Sequence, residues 1–119
     1  MAMRPQTVFN KVQAHLLTQG KRCQNESDEC LYHGPNGMKC AVGALIPKKM
    51  YDPRMENNNV NGLFELAPEF AVLVGEDNLD LLESLQGVHD TVHPSRWRSE
   101  LRAVAQRYKV KYTPFKKEA

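Results

Sequence analysis

The sequence contains no apolar segment long enough to cross a membrane. Its longest unbroken apolar run is Cys40–Ile46, far short of the roughly 20 residues that a membrane-spanning helix requires. Residues Met1–Pro5 likewise lack the apolar core of a secretory signal. We therefore expect a cytoplasmic protein with no membrane partner.

Cysteine is scarce, and its number is odd. The three cysteines, Cys23, Cys30 and Cys40, occur in a chain without a recognisable signal sequence, which favours free thiols or a metal site over a disulfide framework. These cysteines and His33 could together satisfy a tetrahedral zinc ion. However, the sequence has no closely spaced cysteine pair of the kind found in familiar structural zinc sites. We expect no cofactor, with zinc as the alternative.

The common catalytic motifs are also missing. There is no G-x-S-x-G nucleophile elbow, and the loop 34–39 lacks the G-K-[ST] ending of a phosphate-binding loop. His89-Asp90 matches the paired ligands of HD-type metal phosphohydrolases, but no aspartate follows Asp90 to complete such a site. We therefore predict no catalytic residues. A metal-dependent, HD-like hydrolase using His89 and Asp90 is kept as an alternative.

The composition is that of one globular domain. With 119 residues, 41% of them hydrophobic and 25% charged, the chain is long enough to form a single hydrophobic core. Apolar side chains repeat at helical spacing in several segments. The expected fold is mainly α, with about five helices and one small β-hairpin in a single compact domain over residues 1–119.

The helix boundaries are marked by proline, glycine and capping residues. Helices are predicted at 5–19, 62–66 and 68–74, from a cap at Asp77 to about Thr91, and from a cap at Ser95 through Tyr108. The last of these has the most regular apolar stripe. We expect the basic tail, residues 109–119, to pack loosely or to dock as an extended segment.

The β-hairpin is predicted at residues 30–40. Gly34-Pro35-Asn36-Gly37 is a strong turn signal, because proline fixes φ and glycine accepts a positive φ. The flanking residues, 30–32 and 38–40, would then pair as short strands. The small apolar residues 41–46 are predicted to form a buried helix that ends at Pro47.

The stretch 30–47 also carries a resemblance. It is similar to small uncharacterised proteins of bacteria and tailed phages that share the pattern C-x-Y-x-G-x-x-G-x-K-C-A-x-G-x-L-I-P. A second match, from Leu85-Gln86 through His89-Asp90 to Trp97, extends the similarity over most of the chain. The resemblance implies a bacterial or phage origin, with the host cytoplasm as the location if a phage encodes the chain. It assigns no activity and no catalytic residue.

Charge is strongly segregated along the chain. The net charge is +4 over residues 1–50, −8 over 51–95 and +6 over 96–119. Either the basic C-terminal helix neutralises the acidic segment within the fold, or it engages an acidic partner. The second possibility defines an alternative function, nucleic-acid binding, through these basic residues: Arg98, Arg102, Arg107 and Lys109.

The conspicuous turn and its lysines point to a binding function. Backbone amides near Lys39, with Lys48 a short distance along the chain, would form a modest anion-binding corner together with Tyr32 and His33. The function expected from the sequence is that of a non-enzymatic phage or bacterial accessory protein. Its expected partner is a host protein or an anionic small molecule.

Overall fold

The computed structural model, which describes residues 2–113 of the chain, contains five α-helices within that range. They are α1 (Pro5–Gln19), α2 (Val60–Leu66), α3 (Pro68–Val74), α4 (Leu79–Thr91) and α5 (Trp97–Arg107). Short 3-10 turns connect several of them. The prediction of a mainly α fold with about five helices is confirmed.

Helix α1 begins and ends where the sequence predicts. Pro5 occupies the first turn, where its missing N–H costs no hydrogen bond. Gly20 ends the helix in the left-handed conformation, with φ of 71°, and its N–H donates to the Leu16 carbonyl. The buried face of α1 includes Val8, Phe9 and other side chains at helical spacing.

The hydrophobic core lies where α1, α4 and α5 pack against one another, with α2 also contacting α4. Trp97, at the start of α5, is completely buried, and its indole N–H donates to the Val92 carbonyl at 2.9 Å. The indole N–H is therefore satisfied within the apolar core. Other completely buried side chains are Val8, Phe9, Val12, Leu16, Leu63, Phe70, Leu82, Leu85 and Leu101.

The predicted β-hairpin at residues 30–40 is not supported, since residues 2–113 contain no strand longer than an isolated bridge. This segment, which we call the strap, contains one bridge between His33 and Lys39 and a 3-10 turn at Pro35–Gly37. Two backbone hydrogen bonds cross the strap, from the Gly34 N–H to the Met38 carbonyl and from the Cys40 N–H to the Tyr32 carbonyl. The N–H groups of Tyr32 and His33 donate to the Glu56 carboxylate, and that of Lys39 to Gln19. Pairing within the strap therefore ends at one bridge, and side chains from outside it accept three of its other backbone N–H groups.

The predicted buried helix at 41–46 is reduced to one 3-10 turn, Gly43–Leu45. Gly43 is buried directly against the strap, and a Cβ atom there would overlap the Tyr32 carbonyl. The Cys40 N–H also donates to that carbonyl, at 3.3 Å. Glycine at position 43 therefore allows the strap to pack backbone to backbone on the following turn.

The described part of the basic tail is bound to α1. Gln6 donates to the Lys111 carbonyl at 3.0 Å and accepts the Lys111 N–H at 2.8 Å. Gln13, which is buried, donates to the Thr113 carbonyl at 2.7 Å. The rest of the predicted tail, residues 114–119, lies outside the described residues.

None of the helices within residues 2–113 combines the length and the apolar character needed to span a bilayer.

Candidate functional site

The Glu56 carboxylate fixes the strap to the body of the domain. It accepts the Tyr32 N–H at 2.8 Å, the His33 N–H at 3.2 Å and the Tyr51 hydroxyl at 2.6 Å. Hydrogen bonds to an ionised acceptor are stronger than those between neutral groups. Glu56 thereby holds two successive residues of the strap in place. Each of them lines a different cavity: Tyr32 lines one, and His33 lines the other.

The first cavity, which we call the lysine pocket, has a volume of about 310 Å³. It is lined by His33, Gly34, Gly37, Met38, Lys39 and Lys48. Neither lysine ammonium has a hydrogen-bond or ion-pair partner within residues 2–113. Two lysines without a counter-charge in the described part of the chain thus line the same pocket.

His33 forms a neutral wall of the lysine pocket. Its ring stacks on Tyr51 with ring centroids 4.4 Å apart, and its Nε2–H donates to the Gly43 carbonyl at 2.9 Å. Burial, followed by the charge of Lys39, lowers the pKa of His33 from its ordinary value of 6.5. At neutral pH the positive charge of the pocket thus comes from the lysines.

The backbone of Lys39 is held by α1. The Lys39 N–H donates to Gln19 Oε1 at 3.0 Å, and its carbonyl accepts from His15 Nε2 at 2.8 Å and from Gln19 Nε2 at 2.9 Å. The side chain of Lys39 therefore projects from a fixed anchor point. Less conformational freedom is lost when such a side chain binds a ligand.

The second cavity, which we call the acidic cavity, has a volume of about 290 Å³ and lies between the strap and α4. One wall is the face of α4 that carries Glu83, Gln86, Gly87, Asp90 and Thr91. The remaining lining residues are Cys30, Leu31, Tyr32, Glu56, Asn57, Asn58, Asn59 and Val60. The Tyr32 hydroxyl donates to the Asn58 carbonyl, and burial raises its pKa.

His89 and Asp90 lie beside this cavity in a closed hydrogen-bond network. His89 is completely buried, and its Nε2 accepts the Cys23 N–H at 2.9 Å. The ring proton is therefore on Nδ1, which donates to Asp90 Oδ1 at 2.7 Å. Gln86 also donates to Asp90 Oδ1, and it accepts the Val42 N–H. Together these bonds connect α4 to the segments on both sides of the strap.

A metal ion would have to replace a hydrogen bond of this network. Within residues 2–113, Cys30, His89 and Asp90 place three potential ligand atoms within 4.8 Å of one another. Both nitrogens of His89 are already used, one by Cys23 and one by Asp90. A metal could bind His89 only by displacing a buried hydrogen bond, which costs free energy. The remaining predicted metal ligands, Cys23, His33 and Cys40, are not in this group.

All three cysteines are free thiols. Burial, with a contribution from the Asp90 carboxylate, raises the pKa of Cys30 to about 11, and burial also raises the pKa of Cys23 to about 11. Burial raises the pKa of Cys40 as well. The thiolate is the nucleophilic form, so these thiols are poorly suited to covalent catalysis at neutral pH.

The basic residues proposed for nucleic-acid binding lie on α5 and directly after it. Arg98, Arg102, Arg107 and Lys109 are all exposed. The Arg102 guanidinium lies 5.0 Å above the centre of the Tyr112 ring, which is a cation–π contact within the chain. The positive charge is therefore present, but part of it is engaged by the tail.

Sequence reasoning missed two residues that shape the cavities. Glu56 lies in an asparagine-rich stretch that resembles a surface loop, and no local pattern reveals its contacts with the strap. Gly87 did leave a signal, because a glycine inside a helix-forming stretch is unfavourable without a reason.

No protein-family model matches the chain, and no curated protein or solved structure matches it significantly.

Proposed function

We propose that this chain is a non-enzymatic accessory protein of a bacterium or phage that binds an anionic small molecule in the lysine pocket. The bacterial or phage origin rests on the resemblance of residues 30–47. The observation that carries the binding function is the pairing of Lys39 and Lys48 in one pocket without an acidic partner in the described residues.

The charge of the pocket selects an anion. Both lysines line the same pocket, so a phosphate, sulfate or carboxylate bound there would be attracted by two positive charges. Lys39 is half-buried, so water screens it less than a fully exposed lysine. An anionic ligand is therefore favoured over a neutral one of the same size.

The packing of the pocket favours binding without large rearrangement. Tyr51 supports the His33 ring by stacking, and α1 holds the backbone of Lys39. The Gly34–Gly37 turn is closed by the hydrogen bonds from the Gly34 N–H to the Met38 carbonyl and from the Met38 N–H to the Pro35 carbonyl. The backbone of such a site needs little ordering when a ligand binds.

Two titratable groups at the acidic cavity are poorly suited to catalysis, which favours a binding role. Cys30 holds its proton at neutral pH because of its raised pKa. Both nitrogens of His89 are occupied, so the imidazole has no lone pair with which to accept a substrate proton. For the same reason the HD-like hydrolase receives less support than a binding function.

Isothermal titration calorimetry with inorganic phosphate, sulfate and a nucleoside diphosphate tests the proposal. We expect at least one of these anions to bind, and we expect Lys39→Ala and Lys48→Ala each to weaken binding by about tenfold or more, the size of one charged hydrogen bond. Lys11→Ala is the matched control, since Lys11 is an exposed lysine on α1 outside the pocket. Equal binding by all three variants would refute the assignment.

The same preparation tests the nucleic-acid alternative. Binding of an oligonucleotide through the α5 arginines should weaken steeply between low and high salt, because phosphate contacts release counterions. Loss of that binding in Arg102→Ala, with Lys39→Ala unaffected, would favour α5 over the lysine pocket.

A further inference from the structure

Gly87 lies in the interior of α4, although nothing in the fold requires glycine there. Its φ is not positive, and a Cβ atom at this position would meet no heavy atom within 4 Å. Alanine would therefore fit, and it would favour the helix more than glycine does. Position 87 thus keeps a volume empty at a cost to helix stability.

The empty volume over Gly87 belongs to the acidic cavity. Glu83, Gln86, Gly87 and Asp90 have the spacing of one helix face, and all four line the cavity. Leu31, which is half-buried, provides apolar surface among the other lining residues. A side chain at position 87 would project into the cavity, so glycine gives the cavity its depth beside α4.

The lining charges of this cavity are all negative. Three carboxylates, those of Glu56, Glu83 and Asp90, line it, and no lysine, arginine or histidine does. Glu56 and Asp90 already accept bonds within the fold, whereas the Glu83 carboxylate has no partner within residues 2–113. Asp90 retains an exposed fraction of 35%. The carboxylates of Glu83 and Asp90 can thus accept hydrogen bonds from the N–H groups of a ligand beside an apolar surface.

We propose that the acidic cavity binds a guanidinium or ammonium group carried on a short apolar stem, and that Gly87 keeps the space for it. The cationic head contacts Glu83 and the exposed part of Asp90. The stem packs on Leu31. The ligand is a free amine or guanidine, or an arginine or lysine side chain of a partner protein, since both present the same chemistry.

Calorimetry with agmatine and with the capped peptide acetyl-Gly-Arg-Gly-amide tests this proposal. We expect binding of at least one probe, and we expect Glu83→Gln to weaken it about tenfold. Glu69→Gln, an exposed carboxylate on α3 outside the cavity, is the matched control and should bind like the parent protein. Tighter binding of agmatine identifies a free small molecule, and tighter binding of the peptide identifies a partner side chain.

Gly87→Ala separates a ligand site from a structural role. We expect this variant to melt a few degrees higher, because alanine favours the helix, and yet to lose at least tenfold in affinity for the bound probe. A variant that melts higher and binds unchanged would overturn the proposal, as would a parent protein that binds neither probe at millimolar concentration. Phosphate binding in the lysine pocket should be unchanged in Gly87→Ala, so the two proposals fail separately.

Discussion

Replacing Glu56 by alanine should release the strap from the body of the domain. The carboxylate accepts three hydrogen bonds, from the backbone of Tyr32 and His33 and from the Tyr51 hydroxyl. Alanine at this position leaves two backbone N–H groups of the strap without their acceptor. The fold must then let water reach them or leave them unpaired.

The expected cost follows from these three bonds. A single hydrogen bond to a charged group contributes about 1.5–3 kcal/mol, and leaving a buried donor unpaired costs about 1–3 kcal/mol. Glu56 is half-buried, so water offsets part of the loss. We therefore expect a decrease of about 3 kcal/mol in the free energy of unfolding. For a chain of this length, that lowers the melting temperature by about 10 °C.

Thermal and urea unfolding, followed by circular dichroism, measure this change. Glu56→Gln keeps one carbonyl acceptor and should lose about half as much stability as Glu56→Ala. Glu65→Ala, an exposed carboxylate on α2, should stay within about 0.5 kcal/mol of the parent protein. A melting temperature of Glu56→Ala within about 2 °C of the parent protein would be the size of change expected from a surface substitution. That result would refute the role assigned to this carboxylate.

Three further predictions concern the strap and its neighbours. Gly43→Ala should lower the free energy of unfolding by about 3 kcal/mol or more in urea titrations, because a Cβ atom overlaps the Tyr32 carbonyl. Burial lowers the pKa of His33 below 6.5, so the unfolded chain binds a proton at this residue more readily than the folded chain does. The free energy of unfolding should therefore decrease as the pH drops below about 6.5, and His33→Gln should make that decrease smaller. Iodoacetamide should modify Cys30 slowly at pH 7 and faster toward pH 11.

Each of these has a result that contradicts it. Unchanged stability of Gly43→Ala would mean that the strap does not pack closely on the following turn. An identical pH dependence for the parent protein and His33→Gln would contradict the lowered pKa of His33. Rapid alkylation of Cys30 at neutral pH would show that its thiol is ionised there, which would also reopen the possibility of covalent chemistry.

The helices are predictable from the sequence because local signals agree with packing. Pro5 and Gly20 delimit α1 at its observed ends, and Pro68 and Gly75 do the same for α3. The apolar stripe of α5 predicts the buried residues Trp97, Leu101 and others at helical spacing. In these segments the hydrophobic period and the capping residues favour the same structure.

The strap was predicted less well, because its structure depends on distant side chains. The Gly34–Gly37 turn is present and two hydrogen bonds cross the strap, but its flanks do not form strands, because the Glu56 carboxylate takes the Tyr32 N–H that would continue the ladder. The predicted ligand group is also divided, since Tyr32 lines the acidic cavity while His33, Lys39 and Lys48 line the lysine pocket. Contacts over such sequence separations leave no local pattern.

The lysine pocket is proposed to bind an anion. A titration of the ¹⁵N-labelled protein with inorganic phosphate, followed by ¹H–¹⁵N correlation spectra, locates such binding residue by residue. We predict saturable shifts concentrated at the amides of residues 33, 34, 36–39 and 48, and we predict that Lys39→Ala removes them. Shifts confined to α5, or no saturable shifts at all, would contradict the claim.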